Sequence, residues 1–81
     1  MLIYQEGINA LKRNNYTDAF QNFKAAYIYY KFPWALLALA ECCHLGYGTE
    51  KNTEKALKYL EKSNLPEAKK KYALYSREFR K

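Results

Sequence analysis

Cys42, Cys43 and His44 are the residues whose types most readily suggest chemistry, because thiolates and imidazole ligate metals and, paired, act as nucleophile and base. Their spacing argues against both roles. A zinc site needs about four ligands around one point, whereas the chain has two Cys and one His, consecutive in a segment that reads as helix, and no carboxylate placed to complete the set. Neighbouring side chains on a helix point about 100° apart, so the three splay away from one another. The same splay would strain a disulfide between Cys42 and Cys43, so both read as reduced thiols in an intracellular, cytoplasmic setting. The expectation is a protein without metal or cofactor, in which the cysteines act as small hydrophobes and no catalytic residue is assigned.

A second feature is charge. Fourteen Lys and Arg against eight Asp and Glu give +6, but residues 1–30 carry +1, residues 31–50 carry −1, and residues 51–81 carry +6. Lys51, Lys55, Lys58 and Lys62 recur at helical spacing as a basic stripe, continued by Lys69, Lys70 and Lys71 and by Arg77, Arg80 and Lys81. Such a stripe suits a phosphate backbone or an acidic surface, or forms a solvated outer face with Glu54 placed to pair with Lys58 four residues on. Eleven of the fourteen basic residues are Lys and three are Arg, which weakens the nucleic-acid reading, because base readers lean on the planar Arg fork.

A third feature is aromatic. Tyr27, Tyr29, Tyr30, Phe32 and Trp34 put five aromatic residues in eight positions of a chain that is 17% aromatic. Tyr27 and Tyr30 continue a buried stripe. Tyr29 falls off that face and Trp34 opens the next helix, which makes both candidates for anchoring a partner, since binding hot spots favour Trp and Tyr.

The elements that hold these residues are helical throughout. Eighty-one residues make one small domain, too short for a deep enzymatic cleft of its own. The N-terminus lacks the apolar run of a signal peptide, and the longest such run, residues 32–40, falls well short of the ~20 residues a membrane span needs. Five segments show helical periodicity. The first, about residues 2–13, places Ile3, Gly7, Ala10 and Leu11 on one face and stops at Asn14-Asn15, where Asn15 can cap the next helix. Residues 16–30 carry the strongest pattern, with Tyr16, Ala19, Phe20, Phe23, Ala26, Tyr27 and Tyr30 in register. Pro33 starts a third helix, apolar nearly all round and so central, which Gly46-Tyr47-Gly48 ends. Asn52 caps a fourth, residues 53–63, with Ala56, Leu57 and Leu60 inward. Asn64 and Glu67 mark a capping-box start for a fifth. Helices of this length with short connections predict an all-α stack of antiparallel hairpins.

The chain also repeats itself. Ala19-Phe20 and Phe23 align with Ala56-Leu57 and Leu60 at an offset of 37 residues, and Gly7 aligns with Ala40 at 33. Gly7, the turn Asn14-Asn15, and Tyr16, Ala19, Phe20, Phe23 and Ala26 resemble the tetratricopeptide repeat. Ala35-Leu36, Leu39-Ala40, Gly46-Tyr47-Gly48, Asn52 and Glu54-Lys55-Ala56 resemble the related Sel-one-like repeat (SLR). Cys43 stands where that family often has tyrosine, and Ser63 where alanine is usual. The resemblance implies a single domain over residues 1–81, with repeat 1 at about 2–31, repeat 2 at about 33–64 and a closing helix at about 65–80.

In such repeats the first helix of each hairpin lines a concave face. The resemblance therefore implies a partner-binding face of Tyr4, Ile8, Leu11 and Lys12, then Trp34, Leu37, Glu41 and His44, then Lys70, Leu74 and Arg77, with Tyr29 added on composition. Family members that clamp a peptide's terminal carboxylate use a Lys and Asn pair where this chain has Tyr4 and Ile8, so that ligand is disfavoured. The expected function is a non-catalytic adaptor or scaffold module that binds a protein. The alternatives are a small stoichiometric inhibitor of a host protein, as phages encode, and nucleic-acid or anionic-surface binding by the lysine stripe. Self-association would cover exposed ends of so short a stack, and no membrane partner is expected.

Overall fold

The computed structural model describes residues 1–79; Arg80 and Lys81, assigned above to the basic stripe and the closing helix, lie outside the described residues. Five α-helices follow in order: α1 (Leu2–Lys12), α2 (Tyr16–Tyr30), α3 (Pro33–Leu45), α4 (Thr53–Lys62) and α5 (Pro66–Phe79). Consecutive helices pack together, most extensively within the α1–α2 and α3–α4 hairpins, and α5 also touches α3. The architecture is the all-α hairpin stack that the periodicity predicts.

Helix ends follow from single residues. Asn14 takes a left-handed conformation (φ 61°), and the Asn15 N–H then bonds the Ala10 carbonyl at 2.8 Å, closing α1. Lys31 adopts the same region (φ 51°) after α2, and Gly46 (φ 78°) does so after α3. The Asn52 side chain accepts from the Lys55 N–H at 3.0 Å and caps α4. Two other caps differ from expectation. Asn15 donates its amide to the Asp18 carboxylate at 2.7 Å, and its oxygen does not cap the α2 backbone. At the start of α5 the side chain that bonds the backbone is Ser63, which accepts from Leu65 N–H at 3.2 Å.

The core is built on contrast of size. Ala19, Ala26, Ala35, Ala40 and Ala56 are fully buried and let the helices approach, and Phe20, Phe23, Leu39, Leu57 and Leu60 fill the space between them. Eight of the thirteen residues of α3 are buried, so the helix that reads as apolar all round is the central one. The α2 stripe ends earlier than its sequence period suggests. Tyr27 is half-buried and Tyr30 is 59% exposed.

Candidate functional site

Along one side of the stack, α1 and α3 each present a stripe two turns long. Tyr4, Ile8 and Leu11 stand at i, i+4 and i+7 on α1; Trp34, Leu37, Ala38 and Glu41 stand at i, i+3, i+4 and i+7 on α3. With Glu67 and Lys71 of α5 they enclose a groove of about 220 Å³. Helical rise makes each stripe about 10 Å long. The stripes are held from behind by aromatic packing: the Tyr4 ring lies 5.5 Å from Phe23 and 5.1 Å from Phe32, centroid to centroid. Trp34 is 40% exposed at the groove wall, while Leu37, at 5%, is its floor.

The structure thus brings together Tyr4, Ile8, Trp34, Leu37 and Glu41 of the residues assigned from sequence, and Leu11 with them. Others it separates. Tyr29 is 76% exposed and lies elsewhere, in a shallow depression on α2 beside Gln21, Lys24 and Ile28. From α5 the groove receives Glu67 and Lys71; Lys70, Leu74 and Arg77 are exposed and do not line it. The i, i+4 pair Glu67 and Lys71 is the signal that would have marked this face; the apolar stripe of Ala68, Tyr72 and Tyr75 fixes the buried side of α5 but not which residues beside it border the groove.

His44 is corrected more sharply. The expectation placed it outward, yet it is buried, stacked on Tyr75 with centroids 3.9 Å apart. Its Nδ1 lies 3.0 Å from Thr53 Oγ1 and its Nε2 lies 2.6 Å from a Glu78 carboxylate oxygen. One imidazole therefore ties the end of α3 to the start of α4 and the last turn of α5. This is a structural clasp, and the whole polar capacity of the ring is used in it.

Glu41 occupies a different setting. It is half-buried, and among the described residues no cation lies within ion-pair distance of it. Its charge is felt by its neighbours: burial, and then Glu41, raise the Tyr4 phenol above its ordinary value. Tyr75 is pushed up to about 12 by burial and then by Glu41 and Glu78.

The two cysteines are buried and free. Burial first, then Cys43 and Glu41, push the Cys42 thiol up to about 12, which leaves a protonated sulfur at neutral pH. Among the described residues no three His, Cys, Asp or Glu side chains gather where a metal ion could sit. The buried thiol has a consequence for stability. Its folded pKa lies above its ordinary value of 9.0, so the folded state holds the proton more tightly than the unfolded chain. That contribution is complete below pH 9.0 and is lost as pH rises toward about 12. Urea unfolding followed across this range should show stability falling in the wild type and falling less in Cys42→Ala; equal losses in both proteins would contradict it.

The lysine stripe takes an outer face. Lys51, Lys55, Lys58 and Lys62 are all exposed, and no α4 residue lines the groove. Lys58 and Glu54 make the i, i+4 pair at 4.0 Å, with both side chains largely in solvent, a contact of small energetic value.

No helix among the described residues is long and apolar enough to cross a membrane. No protein-family model matches the chain, and no curated protein or solved structure is significantly similar to it.

Proposed function

We propose that the chain is a non-catalytic interaction module of tetratricopeptide-like or SLR type, which takes a segment of a partner protein into the groove between α1, α3 and α5. One observation carries this reading: an apolar channel walled by Tyr4, Ile8, Leu11 and a 40% exposed Trp34, over a floor of Leu37 and Ala38. Large aromatic side chains at a groove wall supply the contact area on which hot spots depend, at little cost in side-chain entropy. The thiol of Cys42 and the imidazole of His44, the groups best suited to catalysis, are already committed to the core and to the clasp. An adaptor and a stoichiometric inhibitor would use the same groove and differ in the partner.

Trp34 is the single tryptophan of the chain, so its emission reports groove occupancy directly. Peptides selected from a random display library on the folded protein should shift that emission to the blue on binding. Ile8→Glu should weaken them by about tenfold to a hundredfold, as loss of a hot-spot contact does, measured on protein whose circular dichroism shows it folded, since Ile8 is half-buried and packs against the core. Leu37 is unsuited to this test, since truncating a buried Leu costs about 2–5 kcal/mol of stability. Peptides that bind equally to a folded Ile8→Glu protein would refute the groove as the binding face.

A further inference from the structure

The groove has a chemical polarity as well as an apolar wall. Its lining holds two carboxylates, Glu41 and Glu67, and one ammonium, Lys71; Glu67 is exposed on α5, whereas Glu41 is half-buried. This apolar concavity of a +6 chain therefore carries −1. Glu41 lies seven residues from Trp34 on the same stripe of α3, about 10 Å away along the helix, at the opposite end of the channel. Half-buried and with no cation within ion-pair distance among the described residues, it is a carboxylate that the surrounding helices shield from part of the solvent. An apolar ligand alone would cover Glu41 and remove the water that remains, at the cost of burying an unpaired charge. A ligand with a cation at that point would instead form a charge-assisted hydrogen bond in a partly dry site, where such bonds are strong.

We infer that the segment recognised by the groove is apolar along the Trp34 to Ile8 wall and carries one Arg or Lys side chain that pairs with Glu41. This rests on the binding role proposed for the groove and adds the chemistry of the partner. It also reverses the polarity of a carboxylate-clamping face, since here the protein supplies the carboxylate.

The experiment is the same display selection, run in parallel on the wild type, Glu41→Gln and Glu41→Lys. Peptides enriched on the wild type should combine apolar residues with Arg or Lys. Replacing that residue by Met should cost about tenfold in affinity on the wild type and little on Glu41→Gln, the signature of a direct pair in a double-mutant cycle. Glu41→Lys should select acidic residues at the same place. If enriched peptides shift Trp34 emission and are weakened by Ile8→Glu, but show no basic preference and bind Glu41→Gln as tightly as wild type, the pairing with Glu41 is wrong and the groove reading stands. If no peptide is enriched, or those enriched leave Trp34 emission unchanged, the groove reading fails and the inference with it.

Discussion

Phe23→Ala is expected to destabilise the protein by about 3–5 kcal/mol, the range for truncating a fully buried aromatic ring, and to be the most damaging single truncation in the core. Phe23 has 0% exposure, and its ring sits under Tyr4 at 5.5 Å. The reason lies in its other neighbour. A Cβ added at Gly7 would fall 2.6 Å from Phe23 Cε1 and 2.7 Å from Cδ1, so α1 approaches α2 closely only because residue 7 has no side chain. Gly7→Ala in the wild type should therefore cost about 1–3 kcal/mol by overpacking, despite alanine's better helix propensity. In a Phe23→Ala background the same change should be neutral or stabilising, because the new methyl enters the space the ring has left. Chemical denaturation of the two single variants and the double variant measures this coupling; simple additivity would show that Gly7 and Phe23 do not form one packing unit. Phe23→Leu, a smaller loss, keeps the cycle measurable should Phe23→Ala not fold.

The second large effect is expected in the loop between α3 and α4, where two glycines look alike in sequence and differ in consequence. Both take positive φ, 78° at Gly46 and 74° at Gly48. At Gly46 an added Cβ would meet nothing nearer than Lys51 Cβ at 3.4 Å, so Gly46→Ala should cost only the left-handed backbone penalty, about 1–2 kcal/mol. At Gly48 the Cβ would lie 2.3 Å from the Tyr16 carbonyl oxygen and 2.8 Å from its carbon. Backbone cannot move aside as a side chain can, so the loop itself must lift from α2. Doing so would separate Tyr47 from Tyr16, whose rings stack at 4.1 Å and 4°. Gly48→Ala should accordingly cost about 3 kcal/mol or more, the sum of backbone strain and overpacking. Equal destabilisation by the two alanines, measured by thermal or urea unfolding, would mean that the Gly48 contact does not hold the hairpins together.

These two glycines show where sequence stops being legible. That Gly46 would end α3 follows from local chemistry, because a left-handed C-cap needs no knowledge of the rest of the molecule. That Gly48 is the seat of a backbone contact with α2 does not, since Tyr16 lies 32 positions away. The groove divides in the same manner. Spacing along one helix shows that Tyr4 shares a stripe with Ile8 and Trp34 with Glu41; that the two stripes form one face entered only through the repeat resemblance, and their meeting is a matter of packing. Lys71 and Glu67 were not legible, because the stripe of Ala68, Tyr72 and Tyr75 marks only the buried side of α5, and packing between helices decides which residues beside that stripe border α1 and α3. His44 was misplaced for a related reason. On a helix nearly apolar all round the period says little about direction, and the carboxylate and ring that enclose His44 come from α5.

Tyr30 and Phe79 obey a different limit. Each continues an apolar stripe in register and each is more than half exposed. Periodicity reports the face of a helix, while burial depends on where the neighbouring helix ends. At 1.5 Å per residue, the fourteen residues of α5 outrun the ten of α4 by about one turn, so the two helices cannot cover one another along their whole length.

The sequence by itself determined the five helices, most of their ends, the central place of α3 and the concentration of positive charge after residue 50, all of which arise from interactions within a few residues or a single helical turn. Only the tertiary structure decided which stripes meet: that Trp34 and Glu41 share a channel with Tyr4 and Ile8, that Tyr29 stands apart from it, and that His44 is a clasp. Those outcomes depend on helix phase, length mismatch and close backbone approach, which are set by packing between segments distant in the chain and leave no periodic trace within any one of them.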